Sequence, residues 1–326
     1  MTVEEQDQEE ELEQGYVPFS MRFKAWWEGV EVEDLVRLRP RFRAGPAAVI
    51  EIDNPDQPDP VRNWPKTRLD IVNRLWGKGF IYPGGRHESI RIVAPMNPDP
   101  SKTILDLTAG LGGGTRAICD HYGIWLTGME PDDELAQHGH ALSVEAEYEK
   151  KAPISAVDLS NLDLPPNRFD GIMIRERLYC TENKLDVLKA MDGALKSRGH
   201  LIFTDLVLSD DAKKNKNNKA LHTWMRAEGA FCEPWTISKY RITLGELNME
   251  ARVFKDESDE YRSQILGAWR NFVDTLNREE MSREFVDTLM YEAHNWLRVV
   301  RALETGDLRY LRVHAIHMGP RTLSDW

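Results

Sequence analysis

Cysteine is scarce in this chain: three residues in 326, Cys119, Cys180 and Cys232, with no metal-ligand spacing among them. That count excludes a disulfide framework and a cysteine-ligated metal centre, and the three are expected to be buried, reduced thiols. No run of about 18 apolar residues occurs, so no membrane-spanning helix is expected. Basic residues are outnumbered, 42 Lys and Arg against 54 Asp and Glu, for a net charge of −12. A polyanion needs a basic surface, so nucleic acid is excluded as a partner. Internal repeats are missing too, which removes the solenoid and propeller classes.

What is present is ordinary for a globular protein: 41% hydrophobic and 29% charged residues. The acidity is uneven. Residues 1–14 hold seven acids and no base, and subtracting them from −12 leaves −5 for the remainder. Residues 1–15 therefore read as a disordered acidic tail, without the basic-then-apolar pattern of a signal peptide, and the protein is expected in the cytoplasm. Residues 16–60 form an arm and a proline-rich connector. Its MRFKAWW segment (21–27) leaves room for an amphipathic helix. A lid or a homodimer contact is the leading reading for this arm, and membrane contact through residues 16–45 the weaker one. Residues 61–320 are expected to be one domain.

From Lys102 onward, short apolar runs alternate with helical segments. TILDL (103–107), IWLTGME (124–130), ISAVDL (154–159), FDGIMI (169–174) and LIFTDLV (201–207) have strand length, with helical patterns between them. This alternation predicts an α/β fold, a Rossmann-like, mostly parallel sheet with helices on both faces. MEARVFKDES (249–258) and LRYLRVHAIHMG (308–319) read as sixth and seventh strands. The helical stretch at 257–303 between them reads as an insert covering the substrate side.

The most informative segment is TILDLTAGLGGGTRAI (103–118). A strand ends at Asp106, a turn containing Thr108, Gly110 and Gly112 follows, and a helix opens near Gly113. Glycines let the backbone approach a ligand, and a helix N-terminus offers free N–H groups to an anion. The spacing D-L-T-A-G-L-G lacks the G-x-G-x-x-G of nicotinamide enzymes. It resembles the acid-x-G-x-G-x-G motif of class I S-adenosylmethionine (SAM)-dependent methyltransferases, with Thr108 in place of the first glycine. The resemblance implies that Glu130, ending the second strand, accepts the ribose hydroxyls. It implies likewise that Asp158 and Leu159, ending the third, flank the adenine, and that the region of Asp106 cradles the methionine half. SAM is thus the expected cofactor, with S-adenosylhomocysteine (SAH) as product, and no metal is expected.

A second resemblance, over residues 75–207, is to phosphoethanolamine and related small-amine N-methyltransferases. It rests on WGKGFIYPGG (76–85) and on FDGIMIRERLYCTENK (169–184). It implies that Tyr82, Gly84, Gly85 and Arg175 border the cofactor. The histidine that assists catalysis in those enzymes is absent; Leu178 or Tyr179 stands in its place. Tyr82, Tyr179 and His87, which flank these motifs, are the candidate catalytic residues. The acceptor is expected to be a small molecule, with an amine the leading class and a hydroxyl or carbon the alternative. A SAM-binding regulator or scaffold without catalysis is the rival reading. The later aromatics (Trp224, Trp235, Tyr240, Trp269, Tyr291, Trp296) read as packing for the inserted helices, or as walls for a cationic amine. The lysines of SDDAKKNKNNK (209–219) read as a solvated loop.

Overall fold

Every apolar run expected to be a strand is one, and all seven strands pair in a single sheet. The computed structural model describes residues 19–30, 63–212, 215, 217–276 and 282–319. The acidic tail, most of the connector, and Lys213, Lys214 and Lys216 lie outside the described residues. The elements are α1 (Phe19–Glu28), α2 (Lys66–Trp76), α3 (Gly85–Val93), β1 (Ile104–Asp106), α4 (Gly113–Tyr122), β2 (Leu126–Glu130) and α5 (Asp133–Glu145). They continue with β3 (Ile154–Ala156), β4 (Phe169–Arg175), α6 (Lys184–Ala194), β5 (Leu195–Leu208), α7 (Lys219–Glu228) and α8 (Ile237–Glu246). The last are β6 (Met249–Asp256), α9 (Ser258–Val273), α10 (Arg283–Glu304) and β7 (Leu308–His317). Among the described residues, no helix is long and apolar enough to cross a membrane.

The strand order is β3-β2-β1-β4-β5-β7-β6, parallel throughout except that β7 runs antiparallel to both its neighbours. Side chains of successive strand residues point to opposite faces, so a sheet covered on both sides favours apolar residues on both. The middles of the central strands follow that rule, and their carboxyl ends carry the buried polar residues Asp106, Arg175, Thr204 and Asp205. Leu105, Ile172, Ile174, Leu201 and Phe203 enter one core, while Ile104, Met173 and Ile202 enter the other. The third strand is shorter than its apolar run. It stops at Ala156 because Asp158 turns the chain, its carboxylate capping a 3-10 turn at Leu159–Asn161.

Chain contacts divide the protein into two compact units. The described residues of 63–265 and 298–319 form one, and those of 19–30 and 266–297 the other. The first holds the whole sheet. In the second, α1 supplies Phe23, Trp26 and Trp27. Trp27 stacks on Trp269 with centroids 4.8 Å apart, and Trp26 meets His294 at 4.7 Å. The MRFKAWW segment is thus helical, with its rings packed on residues of α9 and α10.

Strand order reverses between β1 and β4: β2 and β3 extend one way, β5 and its partners the other. At such a switch point the crossover helices leave on opposite sides and open a crevice at the carboxyl ends of the strands. The glycine-containing turn lies there. Gly112 caps α4 in a left-handed conformation (φ +75°), and a Cβ on it would collide with Ile154 Cδ1 and sit 2.6 Å from Arg116 Nη1. Any other residue there would strain the left-handed backbone and displace both side chains.

Candidate active site

Asp106 ends β1 with its carboxylate buried inside its own turn. Oδ1 accepts the Thr108 N–H at 3.1 Å and Oδ2 accepts the Thr115 hydroxyl at 3.0 Å. Burial pushes its pKa up to about 6 against those two hydrogen bonds. Thr108, the departure from the glycine pattern, is outside the left-handed region. Its hydroxyl accepts the Arg175 N–H at 2.7 Å and so ties β4 to the turn. Glu130 closes the other side. Oε2 accepts the Gly110 N–H at 2.7 Å and Oε1 the Asp132 N–H at 3.0 Å, while burial raises its pKa to about 7. A carboxylate has about four acceptor directions, so each oxygen retains one for a ligand.

The segment between α2 and α3 folds over this turn. The Gly113 N–H donates to the Gly79 carbonyl at 2.8 Å, and a Cβ on Gly110 would be 2.8 Å from Ile81 Cδ1. Beneath it lies a small cavity of about 20 Å³, lined by Tyr82, Ser89, Asp106, Thr108, Gly114 and Arg175 among others. The Arg175 guanidinium sits 5.0 Å from the Tyr82 ring centroid. Its Nη1 reaches Ser89 Oγ at 3.3 Å, yet its Nε and Nη2 are buried without a hydrogen-bond partner. Buried guanidinium donors left unpaired are costly, and an anionic ligand group satisfies them.

Next to Arg175, Glu176 holds a left-handed backbone (φ +49°), a strained conformation for a residue with a Cβ. Its oxygens accept the hydroxyls of Tyr261 at 2.6 Å and Tyr310 at 3.1 Å, whose rings stack 3.8 Å apart. Burial raises the Glu176 pKa, opposed by the Arg175 charge. Burial also lifts the Tyr82 phenol well above its ordinary value, reinforced by Glu130 and Glu176. Tyr82 therefore stays a neutral phenol, able to hydrogen-bond but unsuited to act as a base.

A second, wider cavity of about 740 Å³ opens beside β3 and β4, with Val157, Asp158, Leu159, Arg177, Cys180 and Phe231 in its lining. Asp158 uses Oδ1 for the Ser160 N–H and hydroxyl, at 2.9 and 2.7 Å, which leaves its other oxygen open to solvent. Cys180 corrects an expectation: it is half-buried on this wall, whereas Cys119 and Cys232 are buried.

The structure thus gathers Tyr82, Asp106, Thr108, Gly110, Gly112, Glu130 and Arg175 around one turn, with Asp158 and Leu159 on the adjoining cavity. It does not bring in the other candidates. His87 is exposed on α3 and lines neither cavity. The Tyr179 hydroxyl is engaged by Glu228 at 2.9 Å and its ring by Trp224. Gly84 caps α3 (φ +83°) and the Gly85 carbonyl accepts the Ser89 hydroxyl, so both shape the overlying segment from its far end. Ser89, Arg177 and Phe231 were not legible in advance. Only strand pairing and helix packing bring them to these cavities, and no local pattern marks them.

Carboxylates of opposite tendency give the ligand-free protein a defined pH response. Asp106, Glu130 and Asp205, raised by burial to about 6, 7 and 7, favour the folded state below pH 4 and lose that contribution as pH rises to 7. Glu257 does the reverse. Arg91, Lys255 and Arg312 hold it at 2.6–3.0 Å and outweigh its burial, so its pKa falls from 4.5 to about 2. Its contribution, about 3 kcal/mol at 1.4 kcal/mol per unit, is present above pH 4.5 and lost as pH falls toward 2. The calorimetric melting temperature is expected to peak near pH 4 and to fall from there toward pH 7, and Glu257→Gln should flatten the acid limb. A melting temperature that climbs steadily from pH 5 to 8 would contradict this assignment.

The residues present fit SAM: the turn leaves room for close backbone approach, Glu130 retains acceptor directions, and Arg175 has orphaned donors for a carboxylate. A family model described as a methyltransferase domain matches residues 105–203. The chain is 25% identical over 224 residues to phosphoethanolamine N-methyltransferase of Plasmodium falciparum, covering 67% of this chain and 79% of that protein. It is 27% identical over 142 residues to phosphoethanolamine N-methyltransferase 2 of Caenorhabditis elegans, covering 42% of this chain. The match spans only 32% of that longer protein. Among solved structures, Haemonchus contortus phosphoethanolamine N-methyltransferase 2 in complex with SAM superposes with a TM-score of 0.67 at 14% identity, covering 76% of this chain and 56% of that one. At that identity the likeness is one of fold.

Proposed function

We propose that the chain is a class I SAM-dependent methyltransferase that transfers a methyl group to the nitrogen of a small amine. The observation that carries this reading is the pairing of Glu130 with the buried, half-unpaired Arg175 across one glycine turn. Such a turn suits a ligand with a ribose at one end and a carboxylate at the other. Relatives named for the methylation of phosphoethanolamine support an amine acceptor.

When bound, SAM supplies an electrophilic methyl on a sulfonium. The chain's own part is positional, because methyl transfer depends on alignment more than on strong acid–base groups. Arg175, with Ser89 behind it, holds the carboxylate end; Glu130 holds the ribose; Asp158 faces the adenine. Glu176, steadied by Tyr261 and Tyr310, stands beside Arg175 and helps to fix the guanidinium at the site. Tyr82, a neutral phenol, orients the acceptor by hydrogen bonding.

Isotopically labelled SAM incubated with a small-molecule extract should yield a labelled metabolite whose fragments place the methyl on nitrogen, and Tyr82→Phe should slow that transfer by up to about tenfold. Label on oxygen or carbon would overturn the amine assignment. Tight SAH binding with no labelled product, even with purified amines added, would favour a SAM-binding regulator instead.

A further inference from the structure

Large aromatic side chains on a protein surface are ordinary when scattered singly. Phe231 differs because of where it stands. Its side chain is 55% exposed, while Cys232, Pro234 and Trp235, all within four residues, are buried. The segment between α7 and α8 is thus anchored to the core on its C-terminal side and leaves one ring outward. That ring lines the wide cavity whose other residues stand at or follow the ends of β2, β3 and β4.

Hydrogen bonds hold the ring in place. The Glu233 N–H donates to the Tyr179 carbonyl at 2.9 Å, joining this segment to the turn after β4. The Leu208 N–H donates to the Trp235 carbonyl at 2.9 Å, joining it to the end of β5. The Cys232 N–H closes a tight turn onto the Gly229 carbonyl at 3.1 Å, and the Tyr179 hydroxyl bonds Glu228 at the end of α7. Each bond that positions Tyr179 therefore also positions the segment carrying Phe231. The Tyr179 N–H adds a further tie, donating to the buried Asp205 at 3.0 Å.

On this basis we propose that Phe231 is a cofactor-binding residue supplied from outside the strand ends, its ring forming one face of the slot that takes the adenine. The inference rests on the SAM reading above. Val157 and Leu159 offer apolar surface in the same cavity, and Asp158 offers a free carboxylate oxygen to the exocyclic amine. A planar base has two faces. Val157 and Leu159, from the turn after β3, offer aliphatic surface to one, and an aromatic ring is the fitting partner for the other. Tyr179 then acts through Phe231 as a positioning residue, which gives it a role unrelated to acid–base chemistry.

Stacking of a base on an aromatic ring, when removed by alanine, costs a factor of about 5 to 150 in affinity. Calorimetric titration of the full chain with SAH should show Phe231→Ala binding about 10- to 50-fold more weakly than wild type. Phe231→Tyr should stay within about twofold, and Phe231→Leu should fall between. An exposed ring contributes little to folding, so the melting temperatures without ligand should agree. If Phe231→Ala nonetheless fails to fold, the Leu and Tyr variants decide the matter by the same ordering. Wild type that binds SAH while Phe231→Ala binds within twofold overturns this inference and leaves the SAM reading standing. Wild type that does not bind SAH overturns both.

Discussion

Glu130→Ala is expected to weaken SAH binding by about 100-fold. The carboxylate sits at the end of β2 and accepts two backbone N–H groups, those of Gly110 and Asp132, at 2.7 and 3.0 Å. Alanine removes both partners at once, so the two turns that frame the site lose their common anchor, and the ribose loses its acceptor. Hydrogen bonds to a charged group contribute about 1.5–3 kcal/mol each, so losing two ligand contacts accounts for the expected factor. Glu130→Gln, which keeps one acceptor oxygen and the side-chain length, should cost about tenfold. The carboxyl titrates near 7 because it is buried. SAH affinity should therefore fall as pH drops below 7 in wild type, and this dependence should vanish in the Gln variant. Isothermal titration between pH 5.5 and 8.5 measures both effects. Binding by the Ala variant within threefold of wild type would remove Glu130 from the site.

The second large effect is expected at Arg175, and it should be selective for one half of the ligand. The guanidinium is buried at the floor of the small cavity, bonded to Ser89 Oγ through Nη1 and left with Nε and Nη2 unpaired. A carboxylate satisfies that fork bidentately. Arg175→Met keeps the length and loses the donors, and should weaken SAH by about 100-fold. Methylthioadenosine, which has the same nucleoside and no amino-acid group, should bind Arg175→Met as it binds wild type. Losing the cation also leaves Glu176, whose Oε1 lies 3.9 Å from Nη2, without its counter-charge. The variant is therefore expected to be less stable by about 3–5 kcal/mol. Comparing the two ligands on the same preparation separates recognition from folding. Equal weakening of both would show that Arg175 supports the fold and does not hold the ligand's carboxylate.

The residues of the glycine turn were legible because the chemistry there is local. Asp106, Thr108 and Gly110 lie within five positions, and the turn they make is dictated by their own backbone preferences and hydrogen bonds. Glu130 and Asp158 were legible for a related reason: in a parallel sheet, residues that follow strands return to the same edge. Asp158 also shows the limit of that reasoning, since part of its carboxylate caps the 3-10 turn at Leu159–Asn161. Leu178 or Tyr179 stands where the family resemblance implies a histidine, yet the Tyr179 hydroxyl is bonded to Glu228, forty-nine residues away. His87 has the right sequence neighbours, but α3 turns it to solvent.

The order of apolar runs and turns by itself determined that this chain forms a seven-stranded α/β sheet with a ligand turn after the first strand. Those signals are periodic or local, and each survives whatever the distant chain does. Only the tertiary structure decided which side chains meet above that turn. The Ser89–Arg175 contact crosses 86 positions, the Glu176–Tyr310 bond crosses 134, and Phe231 reaches its cavity from beyond β5. Contacts of that span are set by strand order and helix packing summed over the whole sheet, and no window of sequence contains the information to place them.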